Sequence, residues 1–165
     1  MTSLFENNRH LKEINVYIID DGICKENKDR IQQISERYER NVYFLTMPDP
    51  SIFFSDNRFT IKTLGHTYAR MILGDVIPEN VERIISLDSD TIVLNKIDEL
   101  WSTEMGDHPI AGVDDCMGKV ALVKTQHLKE NSIHCNAGMY LIDLSVWRKE
   151  NWTKQFYRYI KGLFD

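Results

Sequence analysis

Two aspartates, Asp88 and Asp90, stand two residues apart at the end of an apolar run, Ile84-Ile85-Ser86-Leu87. On a strand, residues two apart share a face, so both carboxylates could meet one cation. Hard oxygen ligands suit Mg²⁺ or Mn²⁺, ions that commonly carry a nucleotide's diphosphate between themselves and a protein. By itself a D-x-D is unspecific, because solvated strand-end aspartates are commoner. Its setting adds weight: the run reads as a central, buried, parallel strand, and open α/β sheets bind ligands beyond the carboxyl ends of such strands.

Further residues carry usable chemistry. Arg70 lies on a helix just before this strand, and its planar cation suits phosphate or sugar hydroxyls, although a helix-surface arginine is the plain alternative. Asp114-Asp115 follow a later strand and read either as a carboxylate site or as a solvated loop. In Asn136-Ala137-Gly138 an amide is flanked by small residues that let a ligand approach the backbone; a turn entering a strand explains the same residues. His134, between Ile133 and Cys135, is given no role.

The elements that must hold these groups alternate. Ile14 to Ile19 reads as a strand closed by Asp20-Asp21-Gly22, and Asn27 to Arg40 as a helix with Ile31, Ile34 and Tyr38 inward. Val42 to Leu45 is a second strand, followed by a loop with Pro48, Pro50, Phe53 and Phe54. A helix is expected from Thr63 to Ile77, and a helical turn from Ile97 to Trp101. Strands at Pro109 to Val113 and Ala137 to Leu144 precede an aromatic-rich helix from Val146 onward. Strands alternating with helices predict an α/β sheet, mostly parallel and covered on both faces.

The chain has 165 residues and a formal charge of −5. That length fits a single domain, 1–165, burying about 70% of its unfolded surface. The acidic balance argues against nucleic acid as a partner. No apolar run approaches the roughly eighteen residues of a membrane span, and the N-terminus has no secretory pattern, so cytoplasm is the expectation, with peripheral membrane association left open. Cys24, Cys116 and Cys135 are odd in number and far apart, which predicts reduced, mostly buried thiols. The sequon Asn151-Trp152-Thr153 is read as a chance match.

Five motifs in order carry a resemblance: Asp20-Asp21-Gly22-Ile23, Thr67-Tyr68-Ala69-Arg70, Asp88-Ser89-Asp90, Ile97 to Trp101, and Asn136-Ala137-Gly138 running into Leu141-Ile142-Asp143-Leu144 with Trp147-Arg148. From about Ser3 to Lys161 the chain resembles glycosyltransferases of family 8, particularly bacterial enzymes that add sugars to lipopolysaccharide. The resemblance implies a Rossmann-like nucleotide-diphospho-sugar transferase fold of the GT-A type. It also implies transfer of a hexose from a UDP-sugar, with retention, to a saccharide or glycolipid acceptor. Mn²⁺ is the implied metal, with Mg²⁺ as the alternative, held by Asp88 and Asp90. Arg70, Asp88, Ser89, Asp115, Asn136, Ala137 and Gly138 would bind the donor, with Asp114 taking the place of Asp115 if the register slips.

Relative to that family the chain looks like a core without an opening strand and without a His-containing tail. The expectation is therefore weak donor binding and transfer that is slow or absent, with an exposed sheet edge or a gap in the core. Two other functions compete. One is a sugar-nucleotide-binding remnant without turnover; the other is a haloacid dehalogenase-like phosphatase, whose nucleophile loop also carries a D-x-D. Donor hydrolysis against donor binding separates the first, and an aryl phosphate assay the second.

Overall fold

The computed structural model describes residues 1–47, 69–115 and 134–162. The loop around Pro48 to Phe54, Thr67, Tyr68 and Cys116 lie outside the described residues, as does the start of the helix expected from Thr63. A short helix, α1 (Thr2–Asn7), precedes β1 (Asn15–Asp20), α2 (Lys25–Arg37) and β2 (Asn41–Thr46). β1 and β2 pair in parallel, from Asn15 opposite Asn41 to Asp20 opposite Thr46. A parallel pair needs a crossover, and α2 provides it. Cross-strand partners Tyr17 and Tyr43 stack with ring centroids 5.1 Å apart.

The turn after β1 is built by Asp20. Its carboxylate accepts from the N–H groups of Gly22 at 3.0 Å and Ile23 at 2.7 Å and pairs with Lys28 on the first turns of α2. Gly22 has φ +93°, a conformation that side chains disfavour, so the glycine is needed there. Cys24 stands at the N-cap of α2 and is exposed, contrary to the expected burial, since a helix-capping position in a turn is outside the packed elements; Cys135 is half-buried.

The second half contains a 3₁₀ turn (Ala69–Ile72), α3 (Leu73–Val76), β3 (Arg83–Leu87), α4 (Asp98–Trp101), β4 (Ile110–Asp114), β5 (Cys135–Asp143), α5 (Leu144–Lys149) and α6 (Trp152–Gly162). The helix expected from Val146 is two helices, broken at Asn151, whose φ of +56° departs from helical backbone. The sequon's Thr153 is absorbed into the core, where its hydroxyl accepts from the Trp147 indole N–H at 3.0 Å.

The expected strand directions are overturned. β3 is neither central nor parallel to its neighbour: among the described residues it pairs with β5 alone, antiparallel, in a sheet ordered β3-β5-β4. β5 also runs antiparallel to β4. The apolar run that suggested a parallel strand reports burial of side chains, which does not encode strand direction. The α/β class holds, with one parallel pair and one antiparallel sheet.

Register sorts one face of this sheet into rows, because directly opposed residues point the same way. Ile84, Ile142 and Ile110 form an apolar row; Ser86, Tyr140 and Gly112 form the next; Asp88 and Gly138 follow. The apolar row meets the core, where Ile142 is 1% exposed and packs with Leu73, Ile77, Leu144 and Trp147. Arg148 locks that seam by donating to the carbonyls of Gly74, Ile77, Pro78, Glu79 and Val81. Facing strands β1 and β3 line a groove of about 1680 Å³ that extends to Arg70 and Asp88. No helix among the described residues is long and apolar enough to cross a membrane.

Candidate donor site

The sheet delivers its polar groups where the apolar row ends. Asp88 follows the last residue of β3, and its N–H donates to the Gly138 carbonyl at 2.9 Å, extending the ladder by one bond. The Thr91 N–H then donates to the Asp88 carbonyl at 3.1 Å, which turns the chain. Asp88-Ser89-Asp90 therefore forms a turn beyond the strand, and the common face expected from strand alternation does not apply to it. All three residues are exposed and lie at the carboxyl end of β3, as expected.

Polar side chains of α1 and of Asn8, its C-cap, hold the segment that follows. The Asn7 amide donates to the Val93 carbonyl at 2.8 Å, the Val93 N–H donates to the Ser3 hydroxyl at 3.1 Å, and buried Asn8 accepts from the Ile97 N–H at 2.9 Å. These are side-chain-to-backbone bonds over more than eighty residues of sequence, which pattern reading has no means to detect.

Arg70, at the start of the 3₁₀ turn, joins the pieces. Its guanidinium donates to the Asp88 carboxylate at 3.1 Å and to the carbonyl of Ala137, and it sits 5.8 Å from the centroid of the Tyr140 ring. The Arg70 side chain is 26% exposed and that of Asp88 46%, so the pair stands at the mouth of the site with solvent access. Three separated segments, 69–72, 88–90 and 136–140, are thereby brought together.

Asn136-Ala137-Gly138 lies within β5, and the Asn136 side-chain oxygen accepts from the Gly138 N–H at 2.8 Å. Both readings of this segment hold a part of the truth: it makes a local turn-like bond and also faces the Asp88 carboxylate. A Cβ built on Gly138 would lie 3.4 Å from Asp88 Oδ2 and 3.0 Å from Asn136 Oδ1, so the glycine permits this approach. Asp114 ends β4 opposite Cys135 after a register irregularity, exposed, while half-buried Asp115 donates its N–H to the His134 carbonyl at 2.7 Å. Tyr140 was not expected here, yet strand alternation from Gly138 already places it on the same face.

The donor chemistry of Asp88 and Asp90 fits a hard divalent cation. No group of three or more His, Cys, Asp or Glu side chains positioned to hold a metal occurs among the described residues.

Comparison with known proteins gives the family and the fold. The general stress protein A of Bacillus subtilis is 28% identical over 96% of this chain and 54% of its own length. A putative glycosyltransferase of Haemophilus influenzae is 35% identical over 85% of this chain and 42% of its own. This chain therefore spans about half the length of these curated relatives. Among solved structures, the galactosyltransferase LgtC, in complex with donor and acceptor sugar analogs, superposes with a TM-score of 0.73 at 23% identity, covering 96% of this chain and 59% of that one. The bifunctional glycosyltransferase WbbM superposes at 0.76 with 17% identity, over 95% and 30%. The fold is thus that of GT-A glycosyltransferases. The sequence model of glycosyl transferase family 8 matches residues 1–162, and the chain belongs to that family.

Proposed function

We propose that this chain forms the donor-binding core of a metal-dependent, retaining hexosyltransferase that uses a UDP-sugar and a saccharide or lipopolysaccharide-type acceptor. The observation that carries this reading is the junction at Arg70, where one cation is held against Asp88 and the Ala137 carbonyl at the end of the sheet. In the reaction, the bond from the anomeric carbon to the diphosphate breaks. A bond to an acceptor hydroxyl forms on the same side, and that hydroxyl's proton leaves. Asp88 and Asp90 would hold Mn²⁺ or Mg²⁺, which when bound supplies positive charge against the departing diphosphate.

The chain's own residues do the remaining work. Arg70 offers a second cation to phosphate or sugar oxygens, with Asp88 and Ala137 fixing its direction. Ser89 and Asn136, both exposed, offer a hydroxyl and an amide to the sugar nucleotide, Ala137 and Gly138 keep the surface low, and Asp115 supplies a carboxylate beside the transferred sugar. Family membership sets aside the phosphatase alternative.

UDP-glucose and UDP-galactose are incubated with the chain and Mn²⁺, and UDP release is measured alongside UDP binding. Release that stops on chelation of the metal supports the transferase reading. Binding without release supports a sugar-nucleotide-binding role instead, and neither binding nor release overturns the donor site.

A further inference from the structure

We infer that Tyr140 is a positioning residue for Arg70, and that Gly112 has no side chain so that the Tyr140 ring can lie where it does. The inference deepens the donor-site reading and rests on it. Tyr140 occupies the middle strand between Ser86 and Gly112, one row above Asp88 and Gly138 on the same face. It is thus the last large side chain before the polar end of the sheet, with its body among the partly buried residues packed on the core.

Two contacts fix its part. On one side the ring lies over Gly112: a Cβ built there would fall 3.0 Å from Tyr140 Cδ1, 3.2 Å from Cε1 and 3.1 Å from Cys135 Cβ. An alanine could not be added without moving the ring or the strand. On the other side the Arg70 guanidinium carbon is 5.8 Å from the ring centroid, within range of the attraction between a cation and an aromatic ring. Arg70 lies in a short 3₁₀ turn and has a long stem, and its two polar contacts hold the guanidinium at its nitrogens alone. The ring adds a third contact. An aliphatic residue at 140 would fill volume without attracting the cation, and the guanidinium would be shared more freely with water.

The test combines two readouts. In arginine side-chain NMR spectra, with Arg70 assigned by its loss in Arg70→Met, the Arg70 resonances should show the ring's magnetic shift in the native chain and in Tyr140→Phe. They should move to ordinary positions in Tyr140→Leu. Affinity for UDP with Mn²⁺ should be kept in Tyr140→Phe and fall about three- to five-fold in Tyr140→Leu, the scale of an exposed cation–π contact. In an Arg70→Met background Tyr140→Leu should have no further effect. Tyr140→Met repeats the measurements if the leucine variant does not fold. Unchanged Arg70 resonances in Tyr140→Leu overturn the inference, and so does an equal affinity loss with and without Arg70. If the native chain binds no UDP while the Arg70 resonances still respond to Tyr140→Leu, the donor reading fails and the positioning inference stands.

Discussion

β5 and β3 are neighbouring strands with similar apolar sequences, yet they are buried very differently. β5 has a strand on each side, and its Leu141 and Ile142 are each 1% exposed. β3 has β5 on one side and the groove on the other, and all five of its residues are only half-buried. The difference teaches that an apolar run sets how much burial a strand can use, while its neighbours decide how much it obtains. The site sits at the end of the two strands, where Asp88 meets Gly138 and the groove reaches Arg70 and Asp88.

Substitutions can break this comparison. The largest effect is expected at the seam behind β5: Trp147→Ala should cost about 3–5 kcal/mol by chemical denaturation, since the indole is 2% exposed and packs on Gly74 and Phe156. Next, Ile142→Ala should cost about 2–5 kcal/mol, and Ile85→Ala on β3 clearly less, because Ile85 already keeps solvent contact. Equal costs for the two isoleucines would show that the groove side of β3 is as closely packed as the seam. Gly74→Ala should lose about 1–3 kcal/mol, as its Cβ would fall 2.5 Å from Trp147 Cδ1.

Smaller effects sharpen the contrast between scaffold and site. Arg70→Ala should weaken UDP binding about ten-fold or more, the scale of a charge-assisted hydrogen bond, while stability changes by less than about 1 kcal/mol because the ion pair is solvent-accessible. A large stability loss with unaltered UDP affinity would make Arg70 a structural residue. At the end of β1, the Lys28 ammonium and then the Ile23 N–H hold the Asp20 carboxyl below its ordinary value. Its folded pKa lies below its unfolded one, so its contribution is complete above the unfolded value of about 3.9 and fades as pH falls through the folded one. Asp20→Asn should therefore lower stability near neutrality and flatten the acid limb of a stability–pH profile, the two proteins converging at low pH.

Much of this was legible in the sequence for physical reasons. Period-two and helical patterns located β1, α2, β2 and β4 to within a few residues, and the motifs brought Arg70, Asp88 and Gly138 into one site. Strand direction was not legible, because Ile84 to Leu87 would read the same in either orientation. The turn at Asp88 was missed because it is set by hydrogen bonds from Thr91 and to Gly138, which residue types do not reveal. Arg148 looked like one more member of a motif, but it clamps five carbonyls of a distant segment. Tyr140 was passed over because an aromatic residue in an apolar strand reads as core, and only the placement of Arg70 shows its second role.

The central claim is that the turn beyond β3 holds a divalent cation for a nucleotide diphosphate. Asp90 is the residue to change, since it is exposed and its loss should not disturb the fold. Mn²⁺ binding in the presence of UDP, followed by the electron paramagnetic resonance signal of the free ion, should be clear for the native chain and strongly reduced for Asp90→Asn. Equal Mn²⁺ affinity in the two proteins would contradict the account.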